Sequence, residues 1–139
     1  MADYGKPELE CCLPMPTSVN KMYSTVRNHG RTRRIKSPDY REWQSRALSY
    51  LVPYGWKEPI RGDVALWCFV CFNDLRDSRQ TMDIQNRIKA TCDLLEVAGF
   101  YKNDKQIVDI RFQKGPTVTD IEHVLGGEGY ISLRLWEVK

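Results

Sequence analysis

The run Val64-Ala65-Leu66-Trp67-Cys68-Phe69-Val70-Cys71-Phe72 decides the fold. An apolar stretch of this length predicts a central strand whose two faces are both covered. The polar residues 73–81 then predict a loop, and residues 82–98 repeat apolar side chains at helical spacing up to Gly99, a common residue at helix C-termini. A strand followed by a loop and an amphipathic helix indicates an α/β protein.

The flanking sequence supplies the other elements of one sheet and a second helix. Further strands are predicted at residues 8–13, 106–113 and 130–138, and residues 21–25 and 32–36 predict a hairpin around Asn28-His29-Gly30. Ser37-Pro38 predicts the start of a helix that runs to about Leu51. The buried face of that helix is predicted from its spacing to contain Tyr40, Trp43, Ala47 and Leu51. Residues 115–129 predict a loop, with a possible helical turn at 120–125.

The fold class predicted from these elements is α/β, with one central mixed β-sheet and two main α-helices in a single domain over residues 1–139. The chain of 139 residues, with 42% hydrophobic content, is long enough to bury a core of its own. It contains no apolar run near the roughly 18 residues of a membrane span and no charged-then-apolar leader. We therefore expect a soluble, cytoplasmic protein without a membrane partner.

The five cysteines do not form a metal-binding pattern. Cys68 and Cys71 lie in the predicted central strand, where an offset of three places side chains on opposite faces. Cys11 and Cys12 are adjacent in another predicted strand, so their side chains also lie on opposite faces and cannot bind one metal ion together. All five are expected to be reduced core or surface residues, which fits a reducing compartment.

The net charge of +3 is small, but basic residues cluster around the predicted hairpin. The cluster consists of Arg27, Arg31, Arg33, Arg34 and Lys36. Such a cluster can neutralise several phosphates of a nucleic acid, although most charged runs are solvated surface. On this feature alone, the two interpretations are about equally supported.

The predicted helix 82–98 carries the residues that best match a chemical function. Asp83 lies at its start, Lys89 on its polar side, and Asp104 follows shortly after its end. Hydrolysis of a phosphodiester requires an activated water and stabilisation of charge on the phosphate, and Mg²⁺ supplies both when carboxylate oxygens hold it. A lysine can hold the scissile phosphate. The alternative is that this polar side is ordinary helix surface.

These residues occur in a pattern that resembles the RusA family of Holliday-junction resolvases, found in phages and prophages. The family pattern is Asp-x-Asp-Asn, then Lys three residues on, then Asp-x-Leu, Gly and Asp-Asp-x-Gln. The corresponding residues here are Asp83-Ile84-Gln85-Asn86, Lys89, Asp93-Leu94-Leu95, Gly99 and Asn103-Asp104-Lys105-Gln106. The likeness extends to Pro16-Thr17-Ser18-Val19-Asn20, Tyr23, Lys36-Ser37 and Trp43, and covers roughly residues 9–114.

The resemblance implies a RusA-like fold and a homodimer that nicks two opposing strands of a four-way DNA junction. It implies Mg²⁺ as cofactor, with Mn²⁺ as a substitute, and a bacterial host cytoplasm as the location. By position, Asp83 and Asp104 match the metal-binding acids of the family, Gln85 matches a further metal ligand, and Lys89 matches the catalytic lysine. Contacts of the basic cluster with the junction arms follow from its charge and not from the family motif.

Two positions depart from the family pattern. Gln85 stands where the family has the second acid of Asp-x-Asp, and Asn103 stands where it has the first of the paired later acids. A glutamine offers a neutral oxygen, so Mg²⁺ binding should be weaker unless Asp77, Asp93 or Glu96 compensates. A junction-binding protein with weak or lost catalysis is therefore the alternative function. A regulatory module without DNA binding is the third hypothesis.

Overall fold

The structure is a computed structural model and describes residues 4–54, 58–72, 84–115 and 129–139. The described strands are β1 (Leu9–Pro14), β2 (Tyr23–Asn28), β3 (Arg31–Lys36), β4 (Val64–Phe72), β5 (Ile107–Lys114) and β6 (Gly129–Glu137). The described helices are α1 (Pro38–Leu51) and α2 (Ile88–Val97). Short 3₁₀ turns occur at Val19–Lys21, Val52–Tyr54, residues 84–87 and Asp104–Gln106.

Four strands form a mixed sheet in the order β1-β6-β4-β5. β6 runs antiparallel to both β1 and β4, whereas β4 and β5 are parallel. Because parallel neighbours cannot be joined by a tight turn, the chain crosses over between β4 and β5, and α2 lies in this crossover. The predicted α/β class with one central mixed sheet and two main helices is confirmed.

The core lies on one face of this sheet, where rows of apolar side chains run across neighbouring strands. One such row is Leu9, Leu135 and Leu66, and the next is Cys11, Leu133 and Cys68. Both helices contribute to the same cluster of buried residues. On α1 the buried side chains are Tyr40, Trp43, Ala47 and Leu51, the four that the spacing predicts.

The opposite face of the sheet is covered in part by the N-terminal segment. The Tyr4 ring lies 5.9 Å from the Trp67 ring and 5.8 Å from the Trp136 ring, and the indole N–H of Trp136 donates to the Gly5 carbonyl. The Tyr4 hydroxyl donates to Asp109 at 2.7 Å, and this hydrogen bond lowers the pKa of Asp109. No sequence pattern indicates this contact, since its partners are about a hundred residues apart.

Two expectations differ from the observed elements. β4 is central and mostly buried, but Phe69 on the second face is 47% exposed, so that face is not fully covered. The regular helix of the crossover begins at Ile88 instead of 82, because residues 84–87 form a 3₁₀ turn. Gly99 ends the helix with a φ of 88°, which glycine adopts readily. The predicted loop at 73–81 and most of the one at 115–129 lie outside the described residues.

The cysteines agree with a further expectation. The five cysteines are free thiols, with Cys68 buried in the core and Cys71 on the other side of β4. Burial raises the pKa of Cys11 and of Cys92 to about 12, so neither thiol ionises near neutral pH. Among the described residues, no helix is long and apolar enough to cross a membrane.

The hairpin β2–β3 forms a separate two-stranded sheet next to α1. Its two-residue turn, His29-Gly30, has positive φ at both positions, as a type I′ turn requires. The chain passes directly from β3 to α1 through Ser37, whose hydroxyl accepts from the Tyr40 N–H at 3.1 Å and donates to the Lys21 carbonyl at 2.6 Å. Ser37 thus caps α1 and ties it to the start of the hairpin.

We expect Ser37→Ala to lower the free energy of unfolding by about 1–2 kcal/mol, because it removes the helix cap and the hydrogen bond to the partly buried Lys21 carbonyl. Urea denaturation measures this change. Ser49→Ala is the control, since Ser49 is exposed and bonds only within the same helix; its effect should stay within about 0.5 kcal/mol. Equal effects of the two variants would contradict the role assigned to Ser37.

Candidate active site and nucleic-acid interface

The helix α2 has a buried side against the sheet and a polar side towards solvent. Its buried residues are Ala90, Thr91, Cys92, Leu94 and Leu95. Lys89 and Glu96 are exposed and Asp93 is half-buried. The predicted polar side of the helix is therefore accessible to a substrate.

The ammonium group of Lys89 forms an ion pair with Asp93, one helical turn further along, with an N–O distance of 3.1 Å. This hydrogen bond raises the pKa of Lys89, and the negative charge of Asp104 adds to the effect. Lys89 is therefore a cation at neutral pH. Such a group can neutralise a phosphate, but it cannot act as a general base while it is charged.

Asp104 begins a 3₁₀ turn that leads directly into β5. Its backbone N–H donates to a carboxylate oxygen of Glu96 on α2 at 3.1 Å. The charge of Asp104 also contributes to the raised pKa values of Cys92 and Tyr101, although burial is the main cause for both. The contact with Glu96 places the Asp104 turn on the polar side of α2, which also carries Lys89.

Asn103 caps the turn that carries Asp104. Its side-chain oxygen accepts from the Lys105 N–H at 2.9 Å, and its own backbone N–H donates to the Gln106 side chain at 3.1 Å. This is a capping box, in which asparagine and aspartate serve equally well as the first residue. The departure from the family pattern at position 103 therefore preserves the local structure.

Gln106 holds the turn in place through both ends of its amide group. The amide nitrogen donates to the carbonyls of Ile60 and Gly62, each at 2.7 Å, and the oxygen accepts from the N–H groups of Lys102 and Asn103. The Asp104 turn is thereby joined to the segment before β4. Sequence reasoning found Gln106 in the motif but gave it no role, because its acceptors lie over 40 residues away.

The remaining predicted metal ligands are placed as follows. Asp83 and Asp77 lie outside the described residues. Gln85 is exposed in the 3₁₀ turn before α2. Asp93 is paired with Lys89 and Glu96 contacts the Asp104 turn, so both carboxylates already have partners of their own.

The donor types in this region suit Mg²⁺, which takes carboxylate and amide oxygens. In the described ranges, however, no three acidic, histidine or cysteine side chains are grouped closely enough to hold a metal ion. A site made of Asp104 with Asp83 and Gln85 would include a residue outside those ranges. The metal assignment thus stays a prediction based on the chemistry of the donors.

All five residues of the basic cluster lie on the β2–β3 hairpin and are exposed. Strand pairing divides them between two faces. Arg27, Arg34 and Lys36 share one face with Tyr23, whereas Arg31 and Arg33 lie on the other. The guanidinium of Arg34 lies 4.7 Å from the centre of the Tyr23 ring, and Lys36 donates to the Gln44 side chain at 3.1 Å.

A cluster of basic residues on one surface is a feature of nucleic-acid-binding proteins, and the β2–β3 hairpin carries such a cluster. Residues 11–123 match the family model described as Endodeoxyribonuclease RusA. The chain therefore belongs to the RusA endodeoxyribonuclease family, and the resemblance seen in the motifs is confirmed. Family membership supports a DNA-cleaving hydrolase. A search of curated proteins finds no match.

We expect Gln106→Leu to lower the free energy of unfolding by about 1–2 kcal/mol, because it removes the contacts to two carbonyls and two N–H groups. Asn103→Asp keeps the cap and should change the free energy of unfolding by less than about 0.5 kcal/mol. Urea denaturation measures both. Gln113→Leu, at an exposed position of β5, is the matched control. A cost for Asn103→Asp as large as that for Gln106→Leu would contradict the capping role of Asn103.

Proposed function

We propose that this protein is a Mg²⁺-dependent endodeoxyribonuclease that resolves four-way DNA junctions by paired nicks. The observation that carries the proposal is the match to the RusA endodeoxyribonuclease family, in a chain whose Asp104 turn contacts α2, the helix that carries Lys89. A homodimer suits this reaction, because two symmetric cuts in a roughly twofold substrate require two related active sites.

In this mechanism the residues of α2 and the following turn bind and orient the scissile phosphate. Lys89 is kept positively charged by Asp93 and neutralises the charge that grows on the phosphate oxygens. Asp104, with Asp83 and Gln85, would hold the metal. When bound, Mg²⁺ supplies activation of water and stabilisation of the leaving oxygen. The capped turn fixes the backbone of Asp104 against α2, which limits the positions that its carboxylate can take.

We expect Asp83→Asn and Asp104→Asn to reduce junction cleavage by at least about 100-fold while leaving junction binding in place, because each removes a charged metal ligand. The measurement is cleavage of an end-labelled synthetic four-way junction with Mg²⁺, with EDTA as the metal-free reference and a linear duplex as the substrate control. Asp39→Asn makes the same change on α1 and should cleave normally. Normal cleavage by Asp83→Asn or Asp104→Asn would contradict that residue's assignment.

A protein that binds junctions but cleaves them weakly or not at all is the second candidate function. It is favoured by the neutral Gln85, since Asp93 and Glu96 already have partners of their own. An amide oxygen carries no net charge, so it attracts a divalent cation less strongly than a carboxylate does. In this case the fold and the DNA contacts would be retained while metal affinity would be reduced.

Gln85→Asp separates the two candidates. If the missing carboxylate limits catalysis, this variant should cleave the junction at lower Mg²⁺ concentrations than the unaltered protein and at a rate about tenfold or more higher. The Mg²⁺ dependence of the cleavage rate measures the change, and Gln85→Glu controls for side-chain length. Efficient cleavage by the unaltered protein, with no gain in Gln85→Asp, would show that glutamine is an adequate ligand.

A further inference from the structure

The β2–β3 hairpin has two faces with different surroundings. The inner face, defined as Tyr23, Thr25, Arg27, Thr32, Arg34 and Lys36, contacts α1 through the Tyr23 and Tyr40 rings, whose centres are 6.0 Å apart. The outer face, defined as Ser24, Val26, Asn28, Arg31, Arg33 and Ile35, is on the opposite side of the ribbon. Only the inner face is attached to the rest of the described structure.

On the inner face, two cations are engaged with aromatic rings, one within the hairpin and one on α1. Arg34 stacks on Tyr23, and Lys36 lies 5.7 Å from the Tyr40 ring centre while it also bonds Gln44. Cation–π contacts of this kind stabilise partly desolvated positions. These two residues are therefore placed to position the hairpin and not to bind a ligand.

On the outer face, two arginines flank two aliphatic side chains that are open to solvent. Val26 is 38% exposed and Ile35 is 37% exposed, and Val26 lies directly opposite Arg33. Arg31 and Arg33 form no ion pair with any residue of the described ranges. A two-stranded ribbon with six residues in each strand is about 20 Å long, and ribbons of this kind fit the major groove of DNA.

We propose that the outer face of the hairpin is the surface that contacts DNA, with Arg31 and Arg33 on phosphates and Val26 and Ile35 against sugars or base edges. Positive charge matches the phosphate backbone, and the aliphatic groups match the apolar parts of the groove. The inner-face cations Arg34 and Lys36 act as positioning residues. This inference rests on the proposed function, since it names the surface by which the protein holds its DNA substrate.

The test compares two variants that each lose two positive charges from neighbouring positions of β3. They are Arg31→Gln/Arg33→Gln on the outer face and Arg34→Gln/Lys36→Gln on the inner face. Fluorescence anisotropy with a labelled synthetic four-way junction in EDTA gives the affinity over a range of NaCl concentrations without cleavage. Far-UV circular dichroism and thermal melting verify that each variant is folded.

We expect the outer-face variant to reduce the slope of log affinity against log salt by about 1.8, which corresponds to about 60-fold weaker binding at 0.1 M salt. The inner-face variant should retain the slope of the unaltered protein. An equal or larger loss of slope in the inner-face variant would overturn the proposal, as would an unchanged slope in the outer-face variant. Absence of DNA binding by the unaltered protein would instead overturn the proposed function.

The apolar part of the surface has its own test. Val26→Thr/Ile35→Thr retains β-branched side chains and should weaken junction binding about tenfold with no change in the salt slope, because no charge is removed. Val52→Thr, at an exposed aliphatic residue outside the hairpin, is the control and should bind normally. Unchanged affinity in the Val26/Ile35 variant would overturn the assignment of these two residues.

Discussion

The parallel pairing of β4 with β5 is the constraint on which the arrangement of the candidate site depends. Because the two strands begin at the same edge of the sheet, the chain that leaves the end of β4 must return along the sheet before β5 starts. The helix α2 lies in this return, and the Asp104 turn completes it. Gln106 then joins that turn to the segment ahead of β4, together with the backbone hydrogen bond from Ile60 to Phe100.

The sequence predicted the elements well because their signals are local. The apolar run of β4, the cap at Ser37 and the spacing on α1 each depend on residues close together in the chain, and all three are confirmed. The start of α2 was placed too early, because the apolar periodicity continues through a 3₁₀ turn that has different hydrogen bonding. The coverage of the second face of β4 depends on distant segments such as Tyr4, which no local pattern reports.

The candidate site was predictable as a set of residue types but not as a geometry. The motif identified Lys89 and Asp104, whereas the ion pair with Asp93 and the contact with Glu96 follow from the helix and the turn. Likewise, the hairpin and its basic residues could be located from composition. The division into two faces follows only from the register, since a shift by one residue would exchange every side chain between faces.

The neutral residue at position 85 affects the two halves of the proposed function in opposite directions. A carboxylate there would attract Mg²⁺ and would also repel the phosphates of an approaching DNA strand. An amide weakens both interactions, so under the proposed function metal binding would be reduced while the positive charge of Lys89 would be opposed by one negative charge fewer. Affinity for the DNA backbone and the rate of cleavage would then be separable properties, with Gln85 favouring the first over the second.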